Sequence, residues 1–118
     1  MLLIQNLTDD PKQEQSITLP DGSRLFLSLY YRQSQNGWFY QELSNVTQKF
    51  LVKGMRVVNI PNVLRQFKNL INFGLACYTQ GNREPTQLQD FSSGASKLYI
   101  LTQAEVLEYE SYLVGGVL

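Results

Sequence analysis

The chain has 118 residues, ten basic and ten acidic side chains, and no histidine; this length supports one hydrophobic core and predicts a single domain over 1–118. A neutral balance without a cluster of Lys and Arg argues against a nucleic-acid binder, because phosphate neutralisation supplies much of the affinity of such proteins. The lack of histidine excludes Ser–His–Asp and Cys–His systems and removes the commonest metal ligand, so we assign no catalytic, cofactor-binding or metal-binding residue and expect no enzyme.

Alternating apolar and polar residues predict three antiparallel strands in the first half of the chain. The first covers Gln15–Leu19 and ends in a turn at Leu19–Ser23, where Pro and Gly occupy favourable positions. The second covers Leu25–Tyr31. Asn36-Gly37 then predicts a hairpin, because both residues tolerate positive φ, and the third strand begins at Trp38.

Shorter elements follow. Two strands, 49–53 and 55–60, are predicted on either side of Gly54, which is interpreted as a bulge or a tight bend. Residues 62–67 are predicted to form a short helical turn, with Asn62 as its cap and its apolar side chains facing inward.

The run Leu70–Thr79 is apolar on both faces and predicts a central strand. Its single cysteine, Cys77, is interpreted as a small buried apolar residue. The following polar stretch, Gln80–Ser96, is predicted to be a contact loop, since loops of this length are uncommon unless they function or pack.

The C-terminal part begins with a late strand at 97–101. Thr102-Gln103-Ala104-Glu105 has the form of a capping box and predicts a short helix to about Tyr112. The apolar tail 113–118 contains two glycines and is predicted not to continue the helix. It is interpreted either as a frayed terminus or as a segment that docks on a neighbouring subunit.

These elements predict an all-β fold, a small β-sandwich or closed β-barrel of about seven to eight antiparallel strands with one or two short helices. The globular part is expected to cover 1–112. Strands that are apolar on both faces fit this fold if a helix or a partner covers the outside. The candidate protein-interface residues are Phe26, Tyr30, Phe39, Arg83, Phe91, Val117 and Leu118.

Clustered aromatic residues leave a second function open, a small β-barrel binding module for an oligosaccharide or a single-stranded nucleic acid. The candidate stacking residues are Tyr30, Tyr31, Trp38, Phe39 and Tyr40. Stacking proteins combine such residues with a positively charged groove, and only Arg24 and Arg32 lie nearby in the sequence. Core packing and protein–protein contact are therefore the favoured interpretation.

No segment approaches the roughly 20 apolar residues of a membrane span, and no signal peptide is recognised at the start.

The order of short motifs resembles a known family over roughly Ile4 to Glu105. The segments that carry the resemblance are 6–11 leading into 13–19, 24–31, 36–39, 51–58, 62–67, 73–78, 84–86 and 98–101. In this order and spacing the chain is similar to the small baseplate plug proteins of contractile-tailed phages. It departs from the family pattern in the loop Gly81–Ser96, where Asp90-Phe91 stands near an expected leucine-glycine pair, and in the extension beyond Tyr112.

The resemblance implies a non-enzymatic virion protein, made in the host cytoplasm and located at the central hub of the baseplate. There it would sit between tail tube and spike and close the tube until the tail contracts. The partners it implies are the tail tube, baseplate hub and spike proteins, with a homo-oligomer possible in the particle and neither nucleic acid nor membrane.

Overall fold

The computed structural model describes residues 1–115, which form two antiparallel sheets around a shared core, followed by one helix. The strands are β1 (Leu2–Leu3), β2 (Lys12–Thr18), β3 (Arg24–Arg32), β4 (Gly37–Asn45), β5 (Phe50–Arg56), β6 (Phe73–Thr79) and β7 (Ser96–Thr102). The helix is α1 (Gln103–Gly115), and short 3₁₀ helices cover Gln33–Gln35, Arg65–Phe67 and Gln80–Asn82.

The first sheet is a meander with the strand order β2-β3-β4-β5, and the second has the order β1-β7-β6. Both are antiparallel throughout. The expectation of a mostly β, sandwich-like fold is confirmed. The two sheets do not join into one continuous sheet within residues 1–115, so the closed barrel is not confirmed.

The inner faces of the two sheets form one core. Leu25, Leu27 and Leu29 of β3 are at most 1 % exposed, because alternate residues of a strand point to the same face. Trp38 and Tyr40 lie beside them on β4 and are fully buried. Across the core, the second sheet contributes its own fully buried side chains, Leu75, Leu98 and Ile100.

The predicted hairpin at Asn36-Gly37 forms with a longer loop than expected. Gln33–Gln35 make a 3₁₀ turn, and Asn36 alone adopts the left-handed conformation, with φ of 48°. Gly37 already belongs to β4 and pairs with Arg32. A short polar residue such as Asn tolerates this left-handed position, which completes the reversal without help from the glycine.

The two strands predicted around Gly54 are in fact one strand, β5, and residues 57–60 are not part of it. Gly54 has φ of 74°. The paired residues Tyr40–Met55 and Glu42–Lys53 of β4 and β5 lie on either side of it. At the same level, β4 carries one residue more than β3, because Leu29 pairs with Tyr40 and Ser28 with Glu42. The extra residue is Gln41. Gly54 is therefore unusual in its φ angle, but the register of β4 and β5 is the same on both sides of it, so the bulge predicted there is not confirmed. The bulge lies at Gln41 of β4, where it increases the local twist.

β6 was predicted to be central and is the outer strand of its sheet, beginning at Phe73. The segment 59–63 covers its free edge: the amide of Cys77 donates to the carbonyl of Ile60 at 3.1 Å, and Val63 donates to Leu75 at 2.8 Å. Asn62 Oδ1 accepts from the amides of Leu64 and Leu75. Because these bonds occupy hydrogen-bonding groups of the edge, pairing with another strand is less favourable here. The apolar pattern that suggested a central strand comes from this cover and from packing on both faces.

The capping box at the start of α1 is confirmed. The amide of Glu105 donates to Thr102 Oγ1 at 3.2 Å, and the amide of Thr102 donates to Glu105 Oε1 at 3.0 Å. The helix continues to Gly115, so its predicted end at Tyr112 and the non-helical start of the tail were wrong. No helix of residues 1–115 has the length and apolar character needed to cross a membrane.

The interpretation of Cys77 as a buried apolar residue is confirmed. Its side chain is fully buried between the sheets, and burial raises the pKa of the thiol to about 12. A thiol with such a pKa remains protonated at neutral pH and is a poor nucleophile.

Candidate interaction surface

The outer face of the four-stranded sheet carries a row of side chains to which all four strands contribute. The register places these residues directly opposite one another: Lys12 on β2, Tyr30 on β3, Phe39 on β4 and Arg56 on β5. Residues opposed in this way have Cβ atoms about 5 Å apart, close enough for their side chains to touch. The row therefore places two aromatic rings between two basic side chains.

Basic groups lie over both rings of the row. Arg32 Cζ is 4.5 Å from the centre of the Phe39 ring, and Arg56 Cζ is 5.4 Å from the same centre. Lys12 Nζ lies 5.4 Å from the centre of the Tyr30 ring. Each contact is in the range of a cation–π interaction. Phe39 is only 8 % exposed, although it lies on the outer face. The exposed surface here therefore consists of charged groups resting on aromatic rings.

Arg56 is held in this position by the β3–β4 hairpin. Its Nη2 donates to the carbonyl oxygens of Gln35 at 3.2 Å and Asn36 at 3.1 Å. A Cβ atom at Gly37 would lie 2.5 Å from Arg56 Nη2. Gly37 is thus needed less for its φ angle than for the close approach of the guanidinium group.

The face as a whole is positively charged. Its basic side chains are Lys12, Arg24, Arg32, Lys53 and Arg56, and its acidic side chains are Glu14 and Glu42. We call this surface the cationic face. Since the complete chain has equal numbers of basic and acidic residues, the rest of the molecule has an excess of three acidic side chains.

The charges of the cationic face are not neutralised by the chain itself. Within residues 1–115, the side-chain ion pairs join Arg65 and Lys68 to Glu110 and Arg83 to Asp90. None of the five basic side chains of the cationic face takes part in an ion pair within this range. Even Glu42, which is opposite Lys53, accepts a hydrogen bond from the hydroxyl of Ser44 instead.

Three of the candidate interface residues meet on the cationic face. Tyr30 and Phe39 are in the row, and Phe26 lies two rows away, between Ser16 and Ser44. Phe26 and Tyr30 are half-buried. An open groove of about 900 Å³ runs beside the row and is lined by residues of β2, β3 and the following 3₁₀ turn, with Tyr30 and Arg32 among them. The structure therefore places these three candidates on the same face of the sheet, with Phe26 and Tyr30 partly accessible and Phe39 covered by basic side chains.

The other described candidates, Arg83 and Phe91, lie on the loop that closes one end of the core. Phe91 is 5 % exposed and packs edge-to-face on Trp38, with ring centres 5.4 Å apart. The loop is fixed by two further hydrogen bonds: Tyr31 Oη donates to the Thr86 carbonyl at 2.8 Å, and Trp38 Nε1 donates to Gln87 at 3.1 Å. The predicted contact loop thus contacts the protein's own core. Val117 and Leu118 lie outside the described residues.

Arg83 forms a two-pronged ion pair with Asp90, at 2.6 Å and 3.0 Å. Asp90 is 1 % exposed. Burial by itself would raise the pKa of Asp90, but the guanidinium of Arg83 and the amide of Gln87 donate to the carboxylate and lower the pKa below its ordinary value. The ion pair holds the loop in place, and the charge of Arg83 is balanced by a carboxylate of the same chain.

The aromatic residues considered for stacking are divided between the two faces of the sheet. Trp38 and Tyr40 are fully buried in the core, and the Tyr31 hydroxyl is bonded to the loop. Only Tyr30 and Phe39 face outward, where the protein's own basic groups lie over them. A nucleobase or sugar would have to displace these groups in order to stack.

Sequence reasoning missed Lys12, Lys53 and Arg56 as neighbours of the aromatic residues. They lie on β2 and β5, far from Tyr30 and Phe39 in the sequence. The signal that would have found them is the register of the three strand pairs β2–β3, β3–β4 and β4–β5, including the extra residue Gln41 in β4. Within residues 1–115, no three His, Cys, Asp or Glu side chains are grouped closely enough to hold a metal ion.

A comparison with models of known protein families shows the family of the chain. The model of the family described as "Cyanophage baseplate Pam3 plug gp18" matches residues 1–103. The match covers both sheets and ends where α1 begins. A search of curated proteins gives no match. Because the family match includes most of the chain, the resemblance expected from the sequence is confirmed, and the protein belongs to the family of phage baseplate plug proteins.

Proposed function

We propose that the protein is the plug of the central hub of a contractile tail, closing the distal end of the tail tube between tube and spike. Membership of the family makes it a structural component of the virion baseplate that contacts other phage structural proteins. The position within the baseplate, the tube, hub and spike proteins as partners, and any self-association in the particle belong to the proposal.

The observation that carries the proposal is the cationic face, in a chain that matches the plug family. Aromatic side chains and arginines are enriched in protein interfaces. Here Phe26, Tyr30 and Phe39 share a face with basic groups that the chain leaves without carboxylate partners. Such a surface is suited to burial against another protein.

The remainder of the fold supports a role that depends on shape and contact. The core is continuous between the two sheets, the Arg83–Asp90 pair fixes the long loop, and the segment 59–63 covers the free edge of β6. A closed edge reduces uncontrolled pairing with other strands. The protein can therefore present the cationic face from a well-packed support.

Cryo-electron microscopy of intact tails tests the proposed position. We expect density that fits the two-sheet structure inside the hub, at the end of the tube and next to the spike. A phage lacking the gene should assemble tails without this density, and restoring the gene should restore it. Density located at the baseplate periphery, or the absence of the protein from purified virions, would contradict the proposed function.

A further inference from the structure

We infer that the cationic face docks onto a carboxylate-bearing surface of another baseplate protein, with Arg32, Lys12 and Lys53 as its main charged contacts. This inference rests on the proposed function and adds the chemistry of the partner to it. The partner is expected to present Asp and Glu side chains to the row and to the residues beside it.

The first reason is charge complementarity. The cationic face has five basic and two acidic side chains, and none of the basic ones is paired with a carboxylate within residues 1–115. Of the five basic side chains elsewhere in the described chain, Arg65, Lys68 and Arg83 have such partners, and Lys49 and Lys97 do not. Unlike charges across an interface increase the rate of association and select the correct partner.

The second reason is the geometry of the guanidinium groups. An arginine that rests on an aromatic ring is held in place while its N–H groups remain free to donate at their edges. Arg32 lies 4.5 Å above Phe39 and is half-buried. The planar fork of arginine matches the two oxygens of a carboxylate, and less conformational freedom is lost when the fork is already positioned.

The third reason separates a protein partner from a nucleic acid, which would also be attracted by basic groups. Glu14 and Glu42 lie in the second row of the same face, on either side of Ser28. Their carboxylates would repel the phosphates of a nucleic-acid backbone that runs along the face. A protein partner can instead place a hydrogen-bond donor opposite each of the two carboxylates. The stacking faces of Tyr30 and Phe39 are already occupied by the protein's own basic groups. Single-stranded nucleic-acid sites use such faces for bases.

The experiment is zero-length cross-linking of intact phage particles with a carbodiimide, which joins a lysine amine to a carboxylate in direct contact. Cross-linked peptides are identified by mass spectrometry. We expect Lys12 and Lys53 to be joined to Asp or Glu residues of another baseplate protein. Links from these two lysines only to carboxylates of this chain's own sequence would overturn the inference. Links to Glu14 or Glu42, their neighbours on the cationic face, can form within one copy, whereas links to carboxylates elsewhere in the sequence would indicate a second copy. No link from either lysine, while Lys97 and Lys68 do react, would also overturn it.

A charge-reversal series provides the second arm. Phage lacking the gene is complemented with Arg32→Glu, Lys12→Glu or the control Lys97→Glu, which makes the same charge change at an exposed position of β7. At limiting expression, we expect Arg32→Glu to reduce incorporation into particles by at least about tenfold, the equivalent of roughly 1.4 kcal/mol. The control should be incorporated normally. Equal incorporation of all three variants would overturn the inference.

Two further measurements keep the outcomes distinct. Thermal unfolding of each purified variant shows whether it folds, and Arg32→Gln, which removes the charge without reversing it, should give an intermediate loss of incorporation. Fluorescence anisotropy with a labelled oligothymidylate tests the nucleic-acid alternative: binding that Arg32→Glu abolishes and Lys97→Glu retains would overturn the inference. If the unmodified protein is in the hub and Lys12 and Lys53 are not cross-linked to a partner, the inference fails while the proposed function stands. Absence from the particle overturns both.

Discussion

The two sheets differ in what covers their outer faces. On the three-stranded sheet, α1 packs against β6 and β7, and Val106 lies against Ala76 and Leu101. On the four-stranded sheet, no helix of the described residues covers the outer face, which instead carries the row of aromatic and basic side chains. The chain therefore covers part of one outer face with its own helix and leaves the other without such a cover. Under the proposed docking, stability and binding belong to different surfaces.

Substitutions on the two faces of β4 test this difference and include the largest expected effect on stability. Trp38 is fully buried and packs against Tyr31 and Phe91, so Trp38→Ala is expected to lower the free energy of unfolding by about 3–5 kcal/mol. Phe39 is the neighbouring residue on the outer face, and Phe39→Ala is expected to cost clearly less, since basic side chains and solvent can fill its place. Urea unfolding followed by circular dichroism measures both. Equal losses would show that the outer face is as important for the fold as the core.

Gly74 tests how closely the chain covers its three-stranded sheet. A Cβ atom at this position would lie 2.9 Å from Asn62 Oδ1 and 3.0 Å from Val106 Cγ2. Asn62 has little freedom to move, because it accepts hydrogen bonds from two amides. Gly74→Ala should therefore lower the free energy of unfolding by about 1–3 kcal/mol.

The double variant Gly74→Ala, Val106→Ala is the matched control for this position. It removes one of the two groups that the new methyl would meet, so its loss should be smaller than the sum of the two single losses, as measured in the same urea titration. Strict additivity would contradict the close contact between α1 and β6.

The pair Arg83–Asp90 tests the loop that closes the end of the core. Because the pKa of Asp90 is lower in the folded protein than its ordinary value of 3.8, its contribution to stability is present above about pH 4 and is lost as the pH falls through the folded-state pKa. Asp90→Asn should cost about 1.5 kcal/mol near neutral pH, at the lower end for hydrogen bonds to charged groups, since Arg83 is 39 % exposed.

The measurement is the free energy of unfolding between pH 2.5 and 7 for both proteins. The acid-induced loss should be smaller in the variant. Glu110, whose pKa is also lowered by its hydrogen bonds to Arg65 and Lys68, leaves a remaining slope in both. Parallel curves for the two proteins would show that the carboxylate of Asp90 is not stabilised by folding.

Removal of the Tyr40 hydroxyl is expected to increase the stability of the protein. It is fully buried and has no hydrogen-bond partner within residues 1–115, and burial raises its pKa well above the ordinary value. Tyr40→Phe removes a polar group that lost its water on folding, so the free energy of unfolding should rise by about 1 kcal/mol. Tyr31→Phe is the control, because that hydroxyl donates to the Thr86 carbonyl and its loss should destabilise. Thermal unfolding distinguishes the two signs, and destabilisation by both changes would point to a partner for Tyr40.

Much of the fold could be predicted from local patterns. The alternation in Leu25–Tyr31 and the capping box at Thr102 were sufficient for a strand and for the start of the helix. The position of β6 could not be predicted in this way, because an apolar strand covered by a segment and a helix looks like a central one. The buried place of Phe91 depends on the ion pair that folds its loop inward, a contact between side chains of one loop that periodicity does not record.

The sequence allowed the aromatic residues of the candidate surface to be predicted, but not the basic residues beside them. Phe26 and Tyr30 belong to one strand, so the period of two placed them on one face. The basic half of the surface comes from β2 and β5, and its position depends on the register of three neighbouring strand pairs. A shift of one residue in either hairpin would turn Lys12 or Arg56 to the core side. Composition therefore indicated a neutral protein, whereas the fold separates its charges.

Arg32→Gln is expected to have the smallest effect on stability and sharpens the comparison most directly. Arg32 forms no ion pair within residues 1–115, and its contact with Phe39 is at a half-exposed site, where a cation–π interaction contributes about 0.5–1 kcal/mol. The free energy of unfolding should fall by no more than this, and by less at neutral pH than with Arg83→Gln, which leaves buried Asp90 without its partner. A loss as large as that of Arg83→Gln would mean that the fold itself requires the cationic face. A small loss would agree with the proposal that Arg32 acts in contact with another protein and not in folding.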